Sequence, residues 1–273
     1  MVVLHLPASN VSPWSPSRRA DRGVLRALKQ SIRSIGTDAA MDGRTAIPLG
    51  LPPIDDALGD GLARAAFHEV AATGESGIAP ATQFALALAS RVQGSRALLW
   101  VGEEMALGES GAPYGPGLDE LGLAPERLVT VAAAKPRDVL WAMEEALRCR
   151  AVGAVIGEVR SAARLDLLAS RRLSLAAGER DVCAFLLRAA PGADASAAAT
   201  RWIVAAAPSR AGAAGPGPPR LLVHLIRNRR GPVGSWPLEW NRVERRFDLA
   251  PSVSQPVADA ACDRPHRAAA LGA

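Results

Sequence analysis

A glycine-rich turn is the part of the sequence whose residue types come nearest to phosphate chemistry. It contains Gly74, Glu75, Ser76 and Gly77, between a strand pattern over residues 65–71 and a helical pattern over residues 79–93. In P-loop proteins such a turn cradles phosphates with backbone N–H groups at the start of a helix, and a lysine reaches the terminal phosphate oxygens. The turn therefore indicates where a nucleotide would bind.

The lysine and the hydroxyl of that motif are missing. No alignment with GxxxxGK[ST] restores them, because the chain has only Lys29 and Lys135 and no lysine lies in between. Pro80, at the start of the predicted helix, also has no N–H to donate. We therefore predict a degenerate nucleotide loop and no enzymatic ATP hydrolysis. The alternative is that Lys135 or an arginine supplies the missing charge from another strand or subunit.

Three acidic residues at the ends of predicted strands are candidates for the same nucleotide site. Glu103 and Glu104 follow the strand pattern of residues 96–102, and Glu158 lies next to the end of the pattern over 153–159. A carboxylate near the terminal phosphate can orient the attacking water, and another can orient magnesium. Without the lysine and hydroxyl we predict that all three are vestigial. Glu103 and Glu104 are expected to be solvated, whereas Glu158 is expected in the crevice.

A basic segment near the end of the chain is a candidate binding surface. Residues 220–246 hold seven arginines and two acids, an excess equal to the net charge of +5 for the whole chain. Arginine and tryptophan there predict either a single-stranded DNA surface or a protein interface. A third interpretation has the tryptophans filling a gap between edge strands and core. The candidate residues are Arg227, Arg229, Arg230, Trp236, Trp240, Arg242, Arg245 and Arg246.

Other reactive residue types give no further site. His68 and His224 lack partners at metal-ligand spacing, so we predict hydrogen-bonded structural histidines. Three scattered cysteines form no CxxC pair, which predicts no metal site, no disulfide framework and a reducing cytoplasm. No apolar run approaches the ~18 residues that would span a bilayer, and no signal peptide is recognisable. We expect no cofactor and no membrane partner.

The elements that must position these residues alternate between short apolar strands and amphipathic helices. Hydrophobic residues make up 49% of the 273, enough for a sizeable core. The pattern predicts an α/β fold with an open, mostly parallel twisted sheet and helices on both faces. The late strands over 200–207 and 220–228 have no helix between them, which predicts an antiparallel edge. Residues 210–219 are predicted to be a mobile loop.

Three regions are predicted along the chain. Residues 1–46 form an N-terminal segment that is irregular over 1–21 and carries an amphipathic helix over 22–35. Residues 47–250 form the core domain. Residues 251–273 turn to proline, serine, alanine and arginine, which predicts a disordered tail.

The order of segments resembles the RecA core. A strand, loop and helix are followed by RALLWVGEE, LGLAPERLVTVAAA and GAVIGEV, and HLIRNRRG (224–231) is similar to a late RecA-type strand. Within that group the chain most resembles the ImuA family. The similarity is carried by IPLGLPPIDDALGDGLARAAFHEVA, TRWIVAAAPS and RNRRGPVGSWPLEWN, and it covers about residues 47–250.

The resemblance implies a RecA-like adaptor in the SOS response to DNA damage, acting in mutagenic translesion synthesis without recombinase activity. It implies two partners, an ImuB-like relative of Y-family polymerases and an error-prone DNA polymerase, and location at the nucleoid during damage. Glu103 or Glu104 falls at the water-activating glutamate of RecA-type enzymes, and Glu158 at the Walker B acid. An atypical DNA-dependent ATPase and a regulator that caps RecA remain the alternatives.

Overall fold

The computed structural model describes residues 2–5, 46–161, 165–209, 211–212 and 215–251. The described strands are β1 (Val2–His5), β2 (Ala46–Ile47), β3 (Leu62–Ala63), β4 (Phe67–Ala72), β5 (Ala97–Glu103), β6 (Leu128–Ala133), β7 (Val152–Val159), β8 (Cys183–Arg188), β9 (Thr200–Ala207), β10 (Ala211–Gly212), β11 (Gly215–Pro216), β12 (Arg220–Asn228), β13 (Gly234–Asn241) and β14 (Arg246–Leu249). The described helices are α1 (Pro52–Leu58), α2 (Ile78–Val92), α3 (Glu104–Ser110), α4 (Gly115–Glu120), α5 (Pro136–Leu147) and α6 (Leu167–Arg180).

Ten strands form one large sheet in the order β1-β6-β5-β7-β8-β4-β9-β12-β13-β14. Neighbours from β1 to β9 are parallel, and β12, β13 and β14 continue the sheet antiparallel. The predicted mostly parallel sheet and its antiparallel edge are thus confirmed. Because the parallel strands share one direction, the carboxyl ends of β4, β5, β7 and β8 meet at one edge, where ligands bind in open α/β sheets.

Helices cover both faces of the sheet, as predicted. Strand β7 is buried along its whole length, as expected for a central parallel strand. Its Ile156 belongs to the apolar cluster that includes α2, and its neighbour Val155 belongs to the cluster that includes α5 and α6. Alternate side chains of one strand therefore stabilise two separate helix layers.

Helix α2 begins directly after the glycine-rich turn and fixes the position of that turn. Its predicted inward residues Phe84, Leu88 and Val92 are all buried, and alanines along the same helix allow close approach to the sheet. Phe84 packs edge-on against Trp202 of β9, with ring centroids 5.3 Å apart. This packing holds the start of α2 beside the carboxyl ends of the central strands.

The ends of the chain differ from the prediction where they are described. Residues 1–21 were expected to be irregular, but Val2–His5 forms an edge strand that pairs in parallel with Val129–Ala132 of β6. Val2, Val3 and Leu4 form a short apolar run that includes two β-branched residues, which favours a strand. The helix predicted over 22–35 and the tail predicted beyond 251 lie outside the described residues.

Strands β13 and β14 were not predicted. Most residues of β13 are exposed or half-buried, and Pro237 interrupts its run of strand-forming residues. Both features make an edge strand hard to recognise from the sequence. Within the predicted loop over 210–219, Ala211–Gly212 pairs with Gly215–Pro216 as a short antiparallel ladder. Among the described residues, the structure contains no helix of the length and apolarity needed to cross a membrane.

Candidate functional site

The predicted nucleotide loop joins β4 to α2 through a single 3-10 turn over Glu75–Gly77. Gly74 has φ 130°, a conformation that favours glycine. The Gly74 N–H donates to the Ala189 carbonyl at 3.0 Å, and the Gly77 N–H donates to the Gly74 carbonyl at 2.9 Å. The Ile78 N–H donates to the Glu75 carbonyl. Three of the N–H groups that could contact a phosphate are therefore engaged by the chain itself.

Side-chain chemistry around this turn also disfavours a phosphate. The helix continues with Ala79, Pro80 and Ala81, which offer neither a cation nor a hydroxyl. Glu75 is exposed in the turn and adds a negative charge. Lys135 precedes α5, which packs on the opposite face of the sheet from α2. Within one chain, Lys135 therefore does not replace the missing P-loop lysine.

Glu103, at the end of β5, has a structural role that the sequence did not reveal. Its side chain is buried, and Oε2 accepts the backbone N–H groups of Arg160 at 2.6 Å and Ser161 at 2.9 Å. The prediction that Glu103 is solvated is wrong, because these two donors compensate for its burial. Glu104 opens α3 and is exposed, as predicted.

Glu158 forms a buried ion pair with Arg160. Nε and Nη2 of Arg160 both lie 2.8 Å from Oε1 of Glu158, and the two side chains are only 7% and 4% exposed. Arg160 Nη1 also donates to Oγ of Ser110 at 2.7 Å. Burial raises the pKa of Glu158, and Arg160 opposes this shift. Glu158 therefore lies in the crevice, as predicted, and its partner there is the side chain of Arg160.

A cavity of about 510 Å³ lies beside these acids, between α2, the α3–α4 connection and the ends of β5 and β7. Trp100 and the Glu158–Arg160 pair line one side, and Tyr114 lines another. Its charged lining residues are Glu120, Glu158 and Arg160. Glu158 is paired with Arg160, and Glu120 lies 3.6 Å from Arg242, so none of the charged lining residues is an unpaired cation for a triphosphate.

The predicted basic surface is divided among separate intramolecular contacts. Nη1 of Arg227 donates to the Ser196 carbonyl at 2.8 Å, and Nη2 of Arg230 donates to the Gly59 carbonyl at 2.9 Å. Three further arginines lie near carboxylates of the chain: Arg242 at 3.6 Å from Glu120, Arg245 at 3.7 Å from Asp119, and Arg246 at 3.2 Å from Asp248. Arg229 is exposed.

The two tryptophans of that segment pack inward. Trp240 is 3% exposed and meets Phe247 edge-on, with centroids 4.9 Å apart. Trp236 is half-buried, 6.4 Å from the ring of Trp202. The gap-filling interpretation is confirmed for Trp240, whose assignment to a binding surface is wrong because its ring is enclosed. A DNA or partner surface formed by the remaining residues stays a prediction.

His68 is a structural histidine, as predicted. It is fully buried, with Nδ1 2.8 Å from Oγ1 of Thr200 and Nε2 3.0 Å from the Ala63 carbonyl. Burial lowers the pKa of His68 to about 4, and the hydrogen bond to Ala63 opposes this shift. His224 is half-buried, with Nδ1 2.7 Å from Oγ of Ser235.

Sequence reasoning missed Glu69, which fixes the loop after β8. Glu69 is buried on β4 and accepts from Nε of Arg201 at 2.8 Å and from the Ser196 hydroxyl. Arg201 continues the network with Nη1 donating to the Asp194 carbonyl at 3.4 Å. A glutamate inside a buried, largely apolar strand was the available signal, because a buried carboxylate requires partners.

Comparison with curated proteins settles the family. The chain is 36% identical over 223 residues to Protein ImuA from two strains of Caulobacter vibrioides, and the match covers 72% of this chain and 85% of each relative. The chain belongs to the ImuA family. No protein-family model matches it.

A solved structure shows the fold of this ImuA-family chain. The crystal structure of the RadB recombinase superposes with a TM-score of 0.51 at 14% sequence identity, covering 75% of this chain and 100% of that chain. The RecA-like fold predicted from the sequence is thereby confirmed. At this identity the similarity shows fold alone, so the activity of the ImuA-family chain must be argued from its own residues.

Proposed function

We propose that this ImuA-family protein is a non-catalytic RecA-like adaptor in damage-induced mutagenic translesion DNA synthesis. In this proposal it bridges an ImuB-like relative of Y-family polymerases and an error-prone DNA polymerase at damaged sites in the nucleoid. Family membership supports the pathway, and the RecA-like scaffold supports a protein descended from nucleotide-dependent assemblies.

The proposal that the protein is non-catalytic rests on the contacts and residue types of the glycine-rich turn. It has no lysine, no hydroxyl stands where the P-loop motif requires one, and the N–H groups of Gly74, Gly77 and Ile78 are donated to carbonyls of the chain. Phosphoryl transfer depends almost entirely on positioning and electrostatic stabilisation of the phosphates. A turn without the cation, and with three of its N–H groups used within the chain, stabilises phosphates poorly.

The acids at the same edge support this proposal because they are committed to structure. Glu103 holds the backbone of Arg160 and Ser161, and Glu158 is neutralised by the Arg160 side chain. A water-activating carboxylate or a magnesium-orienting carboxylate must be available to its ligand. In this chain the two acids instead hold Arg160 and Ser161, the residues directly after β7, which suits a structural role.

A reconstitution experiment tests the adaptor role. The ImuB-like protein is immobilised, and retention of the error-prone polymerase is measured with and without the full ImuA-family chain. We expect retention to require the chain and to be unchanged when magnesium and ATP are added or removed. Bovine serum albumin at the same concentration controls for nonspecific retention. Equal retention without the chain, or retention that requires ATP, would refute the proposal.

A further inference from the structure

A second cavity of about 510 Å³ lies on the face of the sheet opposite the degenerate nucleotide loop. It opens at the carboxyl ends of β7 and β8, between the first turns of α5 and α6. Its floor is aliphatic, formed by Leu140, Val159, Leu165, Ala169 and Leu186. The volume falls within the ~300–1,000 Å³ that is typical of ligand pockets.

Positive charge surrounds this aliphatic floor. Lys135, Arg137 and Arg188 line the cavity together with a single acid, Asp166. The Asp166 carboxylate already accepts the Ala169 N–H at 2.6 Å as the cap of α6. Arg137 lies 3.5 Å from the neighbouring Asp138, yet its side chain is 59% exposed. Lys135 and Arg137 are both exposed, so the rim presents these two cations to solvent above an apolar interior.

Two large apolar side chains extend this surface outside the cavity. Trp141 is 52% exposed and follows Leu140 on α5, one helical turn from Arg137. Leu168 is 59% exposed and precedes Ala169 on α6. Exposed apolar groups with a charged rim mark interaction sites, and tryptophan and arginine are among the residue types enriched at the energetic centres of interfaces.

From this arrangement we infer that the cavity between α5 and α6 binds an acidic polypeptide segment bearing aliphatic or aromatic side chains. The apolar side chains enter the floor, and the carboxylates meet Lys135 and Arg137. This inference deepens the adaptor proposal and rests on it only for the identity of the protein that carries the segment.

The floor favours a polypeptide over a nucleic acid. Phosphates would satisfy the cations, but single-stranded bases are held by stacking on aromatic rings. The floor of the cavity is lined by leucine, valine and alanine, and the exposed ring of Trp141 lies outside it. Aliphatic pockets with a cationic rim match acidic segments that carry leucine or phenylalanine.

The test uses a short fluorescein-labelled peptide in which aspartates alternate with leucines, and measures fluorescence anisotropy with the full chain. Two comparison peptides replace the leucines with serine or the aspartates with lysine, and oligo(dT) serves as the nucleic-acid competitor. We expect saturable binding of the first peptide only, and no displacement by oligo(dT). Neither polymerase component is present, so this result is independent of the bridging experiment.

Surface variants locate the binding site. The double variant Lys135→Glu with Arg137→Glu should weaken the binding of the acidic peptide at least about tenfold, because two attractive charges become repulsive. Trp141→Ala should weaken peptide binding by a smaller factor, because an apolar contact is lost. The matched control is Arg150→Glu with Arg180→Glu, since these exposed residues precede β7 and β8 at the opposite edge of the sheet. Thermal unfolding confirms that each variant is folded.

The outcomes decide the inference in either direction. Loss of binding in the cavity variants with retention in the control pair supports it. Binding that is equal for all three peptides, absent for the acidic peptide, or unaffected by the cavity variants overturns it. Displacement by oligo(dT), with loss of oligo(dT) binding in the same variants, would instead make this surface a nucleic-acid site.

Discussion

Replacing Arg160 with leucine is expected to lower the free energy of unfolding by about 3 kcal/mol at pH 8. The substitution leaves the Glu158 carboxylate buried without its countercharge, and it also removes the hydrogen bond to Ser110. Burial already raises the pKa of Glu158, so the variant should take up a proton at this group more readily than the wild type. The loss in free energy of unfolding should therefore be smaller at pH 5 than at pH 8.

The sign of this pH dependence follows from linkage. A carboxyl whose pKa is raised in the folded state binds more protons there than in the unfolded chain, so stability falls as pH rises through the folded pKa. Removing Arg160 takes away the group that opposes the raised pKa of Glu158. Urea unfolding of wild type and variant at the two pH values measures the effect.

The double variant Glu158→Leu with Arg160→Leu separates the ion pair from general disruption. Replacing both charges with apolar side chains should restore stability to within about 1 kcal/mol of the wild type, because no uncompensated charge remains. Arg150→Leu, at an exposed position, is the control and should change stability by less than ~0.5 kcal/mol. A double variant as unstable as the single variant would show that the pair is not the cause.

The second large effect is a loss of stability in acid that comes from His68. Because burial lowers the pKa of His68 from 6.5 to about 4, the unfolded chain binds a proton between these values that the folded chain does not. The stabilising contribution of the neutral ring is complete above pH 6.5 and is lost as pH falls towards 4, by about 3 kcal/mol in total.

Comparison with His68→Gln isolates this contribution. Glutamine does not titrate, so other acid-sensitive groups affect both proteins alike. The variant should be less stable than the wild type at pH 7, because His68 bonds Thr200 and the Ala63 carbonyl and stacks on Phe185. The difference should narrow as pH falls to 4. A difference that stays constant over this range would contradict the lowered pKa.

The central fold could be predicted because its strands are strongly apolar and its helices strongly periodic. Strands β9 and β12 have the bounds that the sequence predicted, since apolar runs between turn-forming segments allow few alternatives. Strand β13 escaped prediction because Pro237 and exposed polar residues hide an edge strand. Strand β1 escaped because its pairing with β6 is a contact between distant residues.

The candidate site could be located from the sequence but its internal contacts could not. The missing lysine is visible in the residue letters, whereas the partners of Glu103 lie 57 and 58 residues away, and no local pattern encodes such contacts. Tryptophan is a residue type common at binding surfaces, yet strand pairing turns the ring of Trp240 towards Phe247. Residue type predicts chemistry, and tertiary packing decides whether a side chain is available for it.

The claim that nucleotide chemistry has been lost is tested most directly by titrating the purified full chain with a fluorescent ATP analogue and magnesium, with and without single-stranded DNA. Our account predicts no saturable binding up to ~1 mM, the upper end of ordinary substrate affinities, and no phosphate release above a protein-free blank. Saturable, magnesium-dependent binding accompanied by turnover that disappears in Glu158→Gln would contradict it.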